Sequence, residues 1–78
     1  MPALRLFGPA REAAGTGRAI LPGRSVAELL DAAQTRFGPD FAMIVAASNV
    51  WVNGEPAEIA DGLFDGDEVA VLPPVSGG

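Results

Sequence analysis

The chain has 78 residues and a formal charge of −5, with ten acids set against five arginines and no Cys, His, Lys or Tyr. A chain this short makes one domain, its core near the lower limit for independent folding, and 49% hydrophobic residues point to a globule rather than disorder. The inventory excludes disulfides, thiolate chemistry, a histidine base and a lysine-activated hydroxyl, and the acidic balance argues against nucleic-acid binding.

Residues 3–7 alternate as a first strand, with Leu4 and Leu6 on one face and Ala3, Arg5 and Phe7 on the other. Gly8-Pro9 breaks it, and residues 10–15 read as a loop or a single helical turn closed by Gly15. A second strand covers Arg18 to Leu21 and ends at Pro22-Gly23. The clearest helix follows. Ser25 is its N-cap, with Glu28 three residues on as a reciprocal capping box. Val26, Leu29, Leu30, Ala33 and Phe37 then form one apolar stripe, and Gly38-Pro39 supplies the stop. Residues 40–48 fit either a helix or an irregular connection, because Phe41, Ile44 and Val45 have helical spacing over a short stretch.

Val50-Trp51-Val52 forms the third strand, and Asn53-Gly54 is a strong hairpin turn. Glu55-Pro56-Ala57 is at most a short edge strand, since Pro56 lacks a donor. Leu63 is expected in the core, and Asp65-Gly66-Asp67 is a turn that launches the last strand, Glu68 to Leu72. That strand is apolar on both faces, as befits one in the middle of a sheet. The expected fold is α+β: a mixed sheet of four to five strands packed on one main helix, with the last strand central and beside the first.

The expected domain ends at residue 72, and residues 73–78 form an extended C-terminal tail. Pro73 and Pro74 cannot continue a hydrogen-bonded strand, and Val75, Ser76, Gly77 and Gly78 have small side chains or none. The tail suits insertion into something narrow, with the α-carboxylate of Gly78 as its reactive group. The plain alternative is a frayed terminus or a linker scar. Phe7 and Trp51 fall outside the core stripe, and they suggest either ordinary packing or an anchor patch on the helix-free face of the sheet. Arg11 and Glu12 read as a solvated ion pair, with a partner's carboxylate as the second possibility for Arg11. The Asp65-Gly66-Asp67 turn lacks the spacing of a calcium loop, so neither a metal nor a resident cofactor is expected. The opening Met1-Pro2-Ala3-Leu4-Arg5 is too short and polar for a signal peptide, and a cytoplasmic protein that crosses no membrane is expected.

Leu6-Phe7, Arg11-Glu12, Val52-Asn53-Gly54-Glu55, Asp65-Gly66-Asp67-Glu68-Val69 and the ending Pro73-Pro74-Val75-Ser76-Gly77-Gly78 together carry a resemblance. The chain resembles the ubiquitin-like sulfur carriers of the β-grasp fold, and among them the small subunits of molybdopterin synthases. The two turns are common to the superfamily; the ending favours the molybdopterin branch. The resemblance implies a sulfur-carrying, non-catalytic subunit of a sulfurtransferase. Gly78 would be adenylated with ATP by a separate adenylyltransferase and converted to a thiocarboxylate by a sulfur donor. Pro73, Pro74, Val75, Ser76 and Gly77 would thread the tail into the large synthase subunit, which holds the catalytic residues. There Gly78 would give sulfur to a cyclic pyranopterin. The family suggests a heterotetramer of two small and two large subunits. Carriage for thiamine or cysteine biosynthesis, and an adaptor that never uses its terminus, stay open beside this reading.

Overall fold

The computed structural model describes residues 1–74, and its elements follow the local chemistry in order. Strand β1 (Ala3–Leu6) leads into helix α1 (Gly8–Ala14), and strand β2 (Arg18–Ile20) leads into α2 (Val26–Phe37) and α3 (Pro39–Ala46). Strands β3 (Asn49–Val52), β4 (Glu55–Pro56) and β5 (Glu68–Leu72) complete it. The five strands form one sheet in the order β2-β1-β5-β3-β4. β5 runs parallel to β1, and the other pairs are antiparallel. The last strand is therefore central and beside the first, and Pro56 sits on the edge, as the sequence predicts.

The sheet buries one face. Leu4 and Leu6 of β1 and Val69 and Val71 of β5 pack with Val26, Leu29 and Ala33 of α2, together with Ala10, Phe41 and Leu63. Ser25 caps α2 by accepting from the Glu28 N–H at 3.2 Å. The capping box is displaced by one residue from expectation: Glu28 Oε1 accepts from the N–H of Arg24, not from that of Ser25. The next two donors of the helix, Val26 N–H and Ala27 N–H, go to the carbonyls of Asp61 and Ile59, so the 59–61 loop finishes the cap.

Two helices stand where the sequence leaves loops or ambiguity. The expected breaker Gly8-Pro9 opens α1, because proline is tolerated in a first turn whose N–H groups have no partner. Gly38 ends α2 with φ 97°, a region open to glycine, and Pro39 immediately begins α3. The fully buried Phe41 holds α3 to the core, and its ring lies 5.2 Å from that of Phe37. The main helix is α2, as expected, and the shorter α1 and α3 pack beside it, α3 against both α1 and α2. No helix among the described residues is long and apolar enough to cross a membrane.

Candidate functional site

The site is the end of the sheet from which the chain leaves after Leu72. Val69 and Val71 anchor β5 from below, while Ala70 and Leu72 lie on the helix-free face. Leu72 is the last paired residue, opposite Asn49, and Pro73 and Pro74 follow outside the strand. β1 and β5 run side by side in the same direction, so Phe7, just beyond Leu6, stands at the same end as the exit. Val75, Ser76, Gly77 and Gly78, expected to form the inserted tail and its reactive terminus, lie outside the described residues.

The register draws one row across the helix-free face: Arg18, Arg5, Ala70, Trp51 and Pro56, each beside the next. Trp51 is half-buried in this row, on the face that alternation assigns to it. Phe7 continues the face toward the exit; it is extended at φ −134°, ψ 155° and 40% exposed. The Arg5 guanidinium carbon lies 5.8 Å from the centroid of its ring, within cation–π range. Trp51 is therefore separated from Arg5 by the small Ala70, and Phe7 lies two residues beyond Arg5 toward the exit. Ile20, 50% exposed, lies on the same face opposite Ala3, and its place there comes from pairing rather than from a motif.

Arg11 is placed otherwise than the sequence suggests. Among the described residues it makes no ion pair with Glu12. Adjacent residues of a helix point about 100° apart and do not face each other. Its guanidinium turns back toward the start of β2, where a Cβ on residue 17 would come within 3.3 Å of Nε, so Gly17 makes room for it. Arg11, Arg5, Phe7, Thr16 and Arg18 line one shallow depression of about 460 Å³. Local spacing does not bring these residues together; the β1–β2 pairing and the return of α1 do.

A polar latch at the opposite end sets where β5 begins. Asn53 and Gly54 both have positive φ (51° and 82°), the geometry of a tight hairpin turn. The Asn53 side chain donates to Asp67 Oδ1 at 3.0 Å and accepts from Glu68 N–H at 2.9 Å. Asp67 Oδ2 accepts from Phe64 N–H at 2.8 Å. The Phe64 N–H, followed by the Asn53 amide, holds the Asp67 carboxyl below its usual value of 3.8. Such a group stabilises the fold above the ordinary carboxylate pKa, and the contribution is lost as pH falls through the lowered value. Asp67→Asn is therefore expected to show a smaller drop in melting temperature than wild type between about pH 5 and pH 2. An unchanged acid slope would count against the latch.

No group of three or more potential metal-ligating side chains occurs among the described residues. The chemistry open to this arrangement is docking through the sheet face and presentation of whatever follows Pro74. A model of the ThiS family matches residues 4–78. SAMP1 from Haloferax volcanii is 33% identical with a TM-score of 0.83, covering 99% of this chain and 98% of that one. A chain in the BexX/CysO complex from Amycolatopsis orientalis is 25% identical with a TM-score of 0.85, and all of both chains is covered. A putative molybdopterin converting factor subunit 1 from Pyrococcus furiosus is 29% identical with a TM-score of 0.79, covering 95% of this chain and 97% of that one. No curated protein matches.

Proposed function

The chain belongs to the ThiS family of ubiquitin-like sulfur carriers with the β-grasp fold, and on that premise we propose that Gly78 carries sulfur for molybdenum cofactor synthesis. The observation that carries sulfur carriage is the family match through residue 78, over a chain with no Cys, His or Lys; the molybdenum assignment draws support from the Pro73–Gly78 ending and the similarity to the Pyrococcus furiosus protein. Sulfur then has no side chain to ride on, and the terminal carboxylate is the available handle. The body, residues 1–72, serves as the grip and residues 73–78 as the arm.

The chemistry requires partners. A carboxylate is a poor acyl donor, so one of its oxygens first attacks the α-phosphorus of ATP on an adenylating enzyme and pyrophosphate leaves. A hydrosulfide ion from the sulfur donor then attacks the acyl carbon and AMP leaves, giving the thiocarboxylate with no change of oxidation state. In the large synthase subunit that sulfur bonds to a side-chain carbon of the cyclic pyranopterin monophosphate as the carbon–oxygen bond to the cyclic phosphate breaks, the phosphate oxygen being the leaving group. Water cleaves the remaining acyl–sulfur bond and returns Gly78 to a carboxylate. Pro73 and Pro74 favour an extended tail that keeps its reach. Phe7 and Trp51 supply apolar contact on the face that surrounds the exit, and Arg11 lies at its margin. The Amycolatopsis orientalis structure is itself a complex with BexX, which supports a protein partner for this chain. A cytoplasmic location belongs to the same reading, since the proposed activation consumes ATP.

Incubation with the cognate adenylating enzyme, ATP and a sulfur source is expected to exchange one oxygen of the intact protein for sulfur, read by mass spectrometry. No mass change with a competent enzyme would defeat the reading. A second reading, delivery to another acceptor, draws support from the similarity to the BexX/CysO chain. Rescue of molybdenum-cofactor-deficient cells, set beside rescue of thiamine and cysteine auxotrophs, separates the acceptors.

A further inference from the structure

The row across the helix-free face contains a pairing that the fold alone does not favour. Arg5 and Arg18 stand directly opposite each other on adjacent antiparallel strands. Like charges in that position destabilise a sheet. One carboxylate on this face, Glu68, reaches Arg5 at 3.5 Å, in a pair exposed enough to contribute little. Arg18 is held where it is by Thr16, whose hydroxyl donates to the Arg18 carbonyl at 3.0 Å and accepts from its N–H at 3.3 Å. Arg11 adds a third guanidinium to the same depression. Three of the five arginines in a chain of charge −5 are thus gathered on one flank of the tail exit.

We propose that Arg5, Arg11 and Arg18 form a docking surface for a carboxylate-bearing rim around the tail channel of the adenylating enzyme, an inference that rests on the sulfur-carrier reading. The net charge of −5 disfavours a general approach to an acidic surface. The flank that gathers three of the five arginines favours contact instead, and that orientation points the tail at the enzyme. The planar guanidinium fork pairs with carboxylates in two parallel hydrogen bonds, and the exposed ring of Phe7 supplies apolar contact beside it. Partner carboxylates would also relieve the repulsion between Arg5 and Arg18 that the free chain carries.

The test measures affinity for the cognate adenylating enzyme, at about 50 and 200 mM salt, for wild type, Arg18→Glu and Arg36→Glu. Arg36 lies on α2, which covers the other side of the sheet, and its reversal changes net charge equally. Wild-type binding is expected to weaken with salt. Arg18→Glu should weaken it roughly tenfold at low salt and flatten the salt response, with Arg36→Glu near wild type. In the free protein, Arg18→Glu should melt no lower than wild type, because it replaces a like-charged cross-strand pair by an opposite one. A merely structural Arg18 gives the reverse, a lower melting temperature with unchanged affinity. That result overturns the proposal, as do equal losses in both variants or no salt dependence. Thiocarboxylate formation by wild type is scored in the same reactions: its absence overturns the carrier reading as well. Its presence with Arg18→Glu loading as fast as wild type at limiting concentration overturns the docking surface alone.

Discussion

Deleting Gly78 is expected to reduce thiocarboxylate formation to background while leaving the unfolding free energy within about 0.5 kcal/mol of wild type. The truncated chain still ends in a carboxylate, that of Gly77, so the loss tests reach rather than the presence of the functional group. Removing one extended residue withdraws that group by roughly 3.5 Å. A misplacement of about 1 Å at a reacting centre already costs on the order of a hundredfold in rate. The stability half of the prediction follows from the chemistry of the deleted residue, since glycine has no side chain to bury, while the core members among the described residues run from Leu4 to Val71. Extending the chain by a few residues after Gly78 converts the same carboxylate to an amide and should be equally disabling. An adaptor acting through its sheet face alone would tolerate both changes. A blocked chain that still supports sulfur transfer would return Gly78 to the status of a frayed end.

The elements that place this arm were readable where one local pattern dominates. The α2 stripe is unambiguous because its apolar residues recur on one face between a serine cap and Gly38. β5 was legible as central because Ala70 and Leu72 leave it no polar face. The two shorter helices were harder for opposite reasons. α1 contains only seven residues, so its periodicity is thin, and its proline reads as a breaker when taken without its position in the first turn. α3 is apolar nearly all round: Phe41 and Val45 are buried while Met43 is exposed, so no stripe separates helix from connection. Alternation put Arg5 and Phe7 on one face and Trp51 opposite its valines. It did not give the juxtaposition of Arg5 with Arg18, or of Trp51 with Ala70, because pairing partners are set by the fold rather than by neighbours in the chain. The tail is the converse case, read from chemistry alone, since its last four residues lie outside the described structure.

Replacing Phe41 by Ala is expected to destabilise the protein by about 3–5 kcal/mol, the largest effect of any single core truncation here. Phe41 heads the largest fully buried side chains, and it ties α3 to the core beside Phe37, 5.2 Å away. In a domain of this size each kcal/mol corresponds to a shift of roughly 4–8 °C, so melting should fall by about 12–40 °C. A domain stable by about 5–15 kcal/mol keeps little margin after such a loss. Phe41→Leu fills part of the cavity and should fall between the two. Function is expected to follow folding and nothing else. Phe41 lies in the core cluster on the helical side of the sheet, whereas Arg5 and Trp51 lie in the row on the opposite face. Below its own melting temperature, Phe41→Ala should therefore load sulfur at the wild-type rate per folded molecule, measured by intact mass alongside circular dichroism. Slow loading by fully folded Phe41→Ala would mean that α3 reaches the tail exit through the core, whereas melting within a few degrees of wild type would mean that Phe41 does not anchor it.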